Sequence, residues 1–241
     1  MSDMRIDRRH AAGRRLVMCL VAMLAIGTAA VGALHLAGDQ RQRYVTAVDM
    51  DGHAVVPDPD ARVTTAEAAA MHITATELRL RVPSVGLDVP VDALTAVNGT
   101  ITPPGFAQAY WVRNAGVAPA DAASGTVFLV THSTRGGAVA PGNYLIDIDA
   151  AASVVASGAW IELGDLHYRV TGSSIIAKTA IAGQASVWAN VPGRLQLITC
   201  LQRSTRANVP SVSNVVITAQ LDQGASTVTA HGAPMPPEVR P

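Results

Sequence analysis

The chain has 241 residues, 49% hydrophobic and 15% charged, with 18 basic and 18 acidic side chains and a formal net charge of zero. That length buries the core of one ordinary domain even after a membrane segment is set aside. Lys178 is the only lysine, so there is no basic stripe to neutralise phosphates and nucleic acid is excluded as a partner.

The N-terminus, residues 1–15, carries five arginines against two aspartates and precedes "LVMCLVAMLAIGTAAVGAL", about 19 residues without a charge. At about 1.5 Å per helical residue that run covers roughly 28 Å, close to a hydrocarbon core. The reading is a single-pass anchor at 16–38, with residues 1–15 cytoplasmic and the rest extracytoplasmic, as the positive-inside rule requires. Small residues in "TAAVGA" and "ALHLAG" keep a cleaved signal peptide as the rival; an apolar run longer than the roughly 7 to 15 residues of a usual signal core favours the anchor. Cys19 stands at the start of the run behind Met18 and reads as a structural cysteine in lipid, not a lipid-attachment site. It then cannot pair with Cys200, the second cysteine, within one chain, and Cys200 stays a thiol.

Residues 39–75 turn polar and irregular and read as an extracytoplasmic linker of roughly 30 Å reach, with one short helix at 65–71. From 76 to 222 short apolar runs are bounded by Gly, Pro and Asn: "LRLRVPSVG", "LDVPVDAL", "GTVFLVTHS", "NYLIDI", "WIELGDLHYRVTGSSII", "RLQLITC" and "NVVITAQL". Alternation and β-branched density make these strands, and "ELGDLHYRV" a hairpin turning at Gly164 and Asp165. Seven or eight strands in about 145 residues predict an all-β domain, an antiparallel sandwich or a closed barrel. "SSIIAKTAIAGQASVWAN" predicts a short helix or long loop. Residues 223–241, rich in Pro, Gly and Ala, read as a disordered tail. There is no Gly-rich phosphate loop and no His/Cys cluster at ligand spacing, so neither a cofactor nor a metal is expected.

Of seven histidines, His10, His35, His53, His72 and His231 fall in the N-terminal segments, linker or tail, and His167 lies mid-strand. His132 ends the strand "GTVFLVT" and opens the loop "HSTRGGAVAPGN"; Cys200 occupies the same kind of position after "RLQLIT". Two strand ends, each with one reactive group, can meet at one rim of a barrel. A thiol near pKa 8.5 is only about 3% thiolate at pH 7 and a histidine near 6.5 about a quarter protonated, so independent groups share the ion-pair state roughly 1% of the time. In contact they titrate as a coupled unit, and cysteine can attack a carbonyl while histidine protonates the leaving amine. A nearby arginine would serve the developing oxyanion, and Arg203 and Arg206 follow Cys200 closely. The bland alternatives are a small core cysteine and a strand-end histidine bonded to a loop.

The order "VTHS", then "LITC", then a basic loop and a final "NVVITAQL" strand resembles the sortases of Gram-positive bacteria, over residues 77–221. "AYWVRNAGVAPAD" is similar to the segment before the histidine strand in actinobacterial members of class F or E. The resemblance implies an eight-stranded β-barrel and a membrane-anchored cysteine transpeptidase. Such an enzyme cleaves an LPXTG-like sorting signal between Thr and Gly and passes the acyl group to a cell-wall precursor or pilin amine. His132 matches the family histidine, Cys200 the nucleophile, and Thr199 the residue before it, which helps hold substrate. No arginine matches directly: the corresponding region holds Pro210, Val212, Ser213 and Asn214, so Arg206, with Arg203 behind it, must fold back from the loop. The second hypothesis is a catalytically weak sortase-like module that binds extended peptide or assists assembly.

Overall fold

The computed structural model describes residues 44–58, 61–203, 210–222 and 224; the expected N-terminal segment, the anchor at 16–38, Cys19, Arg206 and nearly all of the tail at 223–241 lie outside the described residues. Among the described residues no helix is long and apolar enough to cross a membrane.

The elements run β1 (Ala47–Val48), β2 (Ala54–Val55), α1 (Thr65–Ala70), β3 (Thr74–Val82), β4 (Leu87–Leu94), β5 (Ala109–Gly116), β6 (Thr126–Val130), β7 (Ile146–Asp147), β8 (Ala152–Ser153), β9 (Trp160–Leu163), β10 (Leu166–Ala177), α2 (Ala185–Trp188), β11 (Arg194–Leu201) and β12 (Ser213–Leu221). Eight of them close a barrel in the order β10-β12-β11-β6-β5-β4-β3-β9. The expected hairpin is present: Leu163 pairs with Leu166 across Gly164, whose φ of 57° suits the turn. Two junctions, β4 with β5 and β6 with β11, are parallel. Each joins strands separated by a long excursion of chain, the connection that parallel pairing needs.

Side chains alternate across the wall. Leu195, Leu197 and Leu201 of β11 meet Val215, Ile217, Ala219, Val127, Leu129 and Tyr168 in the barrel interior. The other face of the same strands, Ile198, Val216, Phe128 and Val130, is covered by Val187, Trp188, Val63 and Met71. With both faces buried, "TVFLV" and "LQLIT" read as continuous apolar runs.

Three segments differ from the sequence expectation. β5 carries Arg113, Asn114 and Gly116, which interrupt the apolar pattern. Its strand is held because the Asn114 carboxamide accepts from Ala96 N at 2.8 Å and donates to Ala96 O at 3.0 Å, and Gly116 turns at a φ of 65°. In "NYLIDI" only Ile146–Asp147 pairs, with Ala152–Ser153; Pro141 starts a 3-10 turn instead. Within the linker, 45–58 and 61–75 fold onto the barrel. Thr64 and Glu67 form a capping box for α1, and Val63 and Met71 join the outer apolar cluster.

Asp49, 1% exposed, anchors this segment. Its carboxylate accepts from Asp51 N at 3.0 Å, His53 N at 2.8 Å and Val139 N at 3.0 Å. Burial acts to raise the carboxyl, but the N–H donors of Val139, His53 and Asp51, with the His53 ring nearby, outweigh it and hold it below its ordinary value. A carboxyl lowered in the folded state contributes stability that is complete above its unfolded pKa of about 3.9 and drains away as pH falls through the folded value. Acid titrations of wild type and Asp49→Asn, followed by tryptophan fluorescence, are therefore expected to diverge at pH 6 and to converge as the pH falls through the carboxyl's lowered folded-state value. A constant offset across that range would rule the carboxylate out as the source.

Candidate active site

The parallel pairing of β6 and β11 sets Val130 beside Ile198, and Thr131 N donates to Ile198 O at 3.0 Å. Both strands end at the same rim, so His132 and Cys200 emerge together. Cys200 lies two residues beyond Ile198 and shares its outward face. It is half-buried, a thiol and not a disulfide. Both residues line a groove of about 600 Å³ on the outside of the barrel. One wall is the 96–103 segment, with Ile101 and Pro103; the other is the 178–188 segment, with Lys178, Ile181 and Trp188.

The second wall is held from below. Arg194 donates to Ser186 O at 2.8 Å, Val187 O at 3.0 Å, Ala189 O, and Thr126 Oγ1 at 3.1 Å. Trp188 Nε1 donates to Ile181 O at 2.7 Å, and its ring stacks on Phe128 at 5.2 Å. A strongly apolar α2 of four residues has too few internal bonds to stand alone, so these contacts fix the groove's width.

His132 is 6% exposed and its position is determined on three sides. Its ring stacks on Phe106 at 4.0 Å and 11°, its Nε2 lies 2.7 Å from Pro103 O, and its own carbonyl accepts from Gly142 N at 2.7 Å. A carbonyl oxygen only accepts, so Nε2 carries a hydrogen and Nδ1 is the nitrogen left to exchange a proton. The 103–106 segment is tied in turn by Tyr110, whose hydroxyl bonds the Gly105 backbone and is pushed well above its ordinary pKa by burial and by Asp92.

A polar network joins the two strand extensions. Ser133 Oγ donates to Cys200 O at 2.6 Å, and Gln202 Nε2 donates to Ser133 O at 2.9 Å and to its Oγ at 3.0 Å. Arg135 bonds Gln202 Oε1 at 3.1 Å and Asp58 Oδ2 at 2.7 Å, with a second contact from its other nitrogen to Oδ1. Asn143 closes the loop by accepting from Thr134 N and Ala140 N, each at 2.9 Å, and donating to Thr134 O at 2.8 Å. Arg135, Gln202, Asn143, Phe106 and Pro103 carry no motif of their own. Only the polar, Gly- and Pro-rich character of "HSTRGGAVAPGN" pointed to a built loop.

The remaining candidates fall as follows. Arg206 is outside the described residues. Arg203 is exposed and does not line the groove. Thr199 is 3% exposed, and its hydroxyl has no hydrogen-bond partner among the described residues; it packs against Gly142, at a point where a Cβ on Gly142 would also strike the His132 carbonyl. Gly142→Ala is expected to lower stability by about 1–3 kcal/mol, the cost of overpacking a tight site, and to slow reaction at Cys200 by shifting His132. Thermal unfolding and the alkylation rate of Cys200 check both; unchanged values would show that the contact relaxes freely.

No protein-family model matches the chain, and no curated protein matches it. Solved structures do. It is similar to sortase A of Listeria monocytogenes, with 24% identity over 62% of this chain and 89% of that one and a TM-score of 0.46. It is similar to sortase C-1 of Actinomyces oris, with 18% identity over 64% of this chain and 80% of that one and a TM-score of 0.43. A lid mutant of sortase A from Corynebacterium diphtheriae shows 13% identity over 61% and 69%, with a TM-score of 0.42. All three of these solved structures are sortases.

Proposed function

We propose that this protein is a cysteine transpeptidase of the sortase type, with Cys200 as nucleophile and His132 as its acid–base partner. The observation that carries the reading is the in-register parallel pairing of β6 and β11, which brings the strand-end thiol and the strand-end imidazole to one groove. His132 Nδ1 takes the thiol proton, and the thiolate attacks a peptide carbonyl carbon. A C–S bond forms and the carbonyl π pair moves to oxygen; collapse breaks the C–N bond, and the imidazolium protonates the departing amine. An incoming amine then attacks the thioester and the thiol is restored.

The groove lies between two walls with apolar Ile101, Ile181 and Trp188, which suits a peptide with apolar side chains. On the sequence resemblance, that peptide is an LPXTG-like sorting signal cut between Thr and Gly, the acceptor is a cell-wall precursor or pilin amine, and residues 16–38 hold the domain at the outer face of the cell membrane. Incubation with a library of LPXTG-like peptides and a small amine, read by mass spectrometry, tests it. The expected result is peptide truncated after Thr and joined to the amine, together with an acyl mass on Cys200. A library left intact, with no adduct on the protein, would remove the reading.

A further inference from the structure

Acyl transfer by Cys200 needs a hydrogen-bond donor at the point where negative charge develops on the carbonyl oxygen. Several of the donors around the groove are committed elsewhere. Asn114 has both ends of its carboxamide on Ala96, Trp188 Nε1 is on Ile181 O, and Lys178 has a partner of its own; the Thr199 hydroxyl has no hydrogen-bond partner among the described residues, but it lies opposite Val215 on the inward face of β11, against Gly142. Arg135 is paired with Asp58 and Gln202, and Arg203 does not line the groove.

Asn214 differs. β12 pairs antiparallel with β11, and Cys200 sits directly opposite Asn214. Directly opposed residues point to the same face with Cβ atoms about 4.5–5.5 Å apart. The shared face is confirmed two same-face pairs further on, where Thr218 Oγ1 donates to Gln196 Oε1 at 2.9 Å across the same register. Asn214 is half-buried and lines the groove beside Cys200 and His132, and its carboxamide makes no hydrogen bond to any described residue. A polar side chain near the rim end of β12, between Ser213 and Val215 and opposite the thiol, makes none of the hydrogen bonds that a structural role would give it among the described residues.

We infer that Asn214 is a catalytic residue: its Nδ2–H donates to the carbonyl oxygen of the acyl group under attack by Cys200. As the C–S bond forms, the carbonyl π pair moves onto oxygen and is met by the carboxamide. On collapse the pair returns, the leaving group departs with its electrons, and His132 supplies the proton. His132, just beyond the end of β6, Cys200 on β11 and Asn214 on β12 thus come from three neighbouring strands to one barrel rim. The inference rests on the cysteine chemistry proposed above but not on the sorting-signal substrate.

The test uses two reagents on wild type, Asn214→Ala, Asn214→Leu and Arg206→Ala. p-Nitrophenyl acetate acylates the thiol through an oxyanion; iodoacetamide alkylates it at a saturated carbon, where none forms. Both Asn214 variants are expected to lose about 10²-fold or more in acylation rate and to keep alkylation within about twofold. The leucine variant keeps the approximate shape, adds no charge beside the thiol and lacks the donor, so equal losses in the two variants tie the effect to the N–H. Parallel losses in both reactions would mean that Asn214 only positions the thiol, and would overturn the inference. So would unchanged acylation in the Asn214 variants, an acylation loss confined to Arg206→Ala, or a wild-type thiol that is alkylated but never acylated. Acylation by the ester with no cleavage of any sorting-signal peptide would instead defeat the substrate assignment and leave Asn214's role standing.

Discussion

Cys200→Ala is expected to eliminate acyl transfer, lowering turnover of a cleaved peptide by at least about 10⁴-fold and abolishing the acyl-protein mass. The effect is large because no other group can replace the thiol. Cys200 is the only cysteine of the barrel domain, and the neighbouring polar groups on its own strand extension, Thr199 and Gln202, are buried, with Gln202 bonded to Ser133. The change should leave the fold intact. Cys200 is half-buried on the outward face, its backbone carbonyl keeps the bond from Ser133 Oγ, and loss of one sulfur from a half-exposed strand position costs about 1 kcal/mol or less. Cys200→Ser, which keeps the shape and offers a hydroxyl of far higher pKa, should be equally inactive. Intact-mass spectrometry after a pulse with peptide, alongside a thermal melt, separates the two contributions. Turnover by Cys200→Ala above a few per cent of wild type would sink the nucleophile assignment.

The two reactive residues were legible because each closes a β-branched apolar run, and the chemistry of a strand end is visible in one dimension. The hairpin at Gly164 was legible for the same reason: its turn residues and its alternation are both local. The adjacency of β6 and β11 is not local. Some sixty residues separate Val130 from Arg194, and nothing in either run states whether its neighbour lies parallel. Register is decided by closure of the whole barrel. The fold of 45–58 and 61–75 was hidden by composition: Asp49 looks like a solvated linker acid until Val139, ninety residues away, supplies the backbone donor that holds it. Asn214 was visible only as a position lacking arginine. Its standing changes once β12 sets it opposite Cys200, because a carboxamide is informative when its partners, or their absence among the described residues, are known.

His132→Gln is expected to slow acylation by about 10²- to 10⁴-fold, the range for a positioned general acid–base group. The substitution suits the site, since the glutamine carboxamide can still donate to Pro103 O as Nε2 of the ring does, and its length leaves Phe106 covered. What it removes is Nδ1, the nitrogen that exchanges a proton. The pH dependence carries the diagnosis. A coupled thiol and imidazole give a bell-shaped acylation profile, because the productive form needs one proton shared between the two groups and is lost when both or neither is protonated. Without the imidazole the profile should become a single limb that rises with pH as the thiol ionises alone, toward about pH 8.5. The loss relative to wild type then shrinks as pH rises, since base strength is being supplied by solvent. A glutamine variant that keeps the bell, merely scaled down, would show that the acidic and basic limbs belong to other groups, and His132 would be left as a residue that shapes the rim through Phe106 and Gly142 without moving a proton.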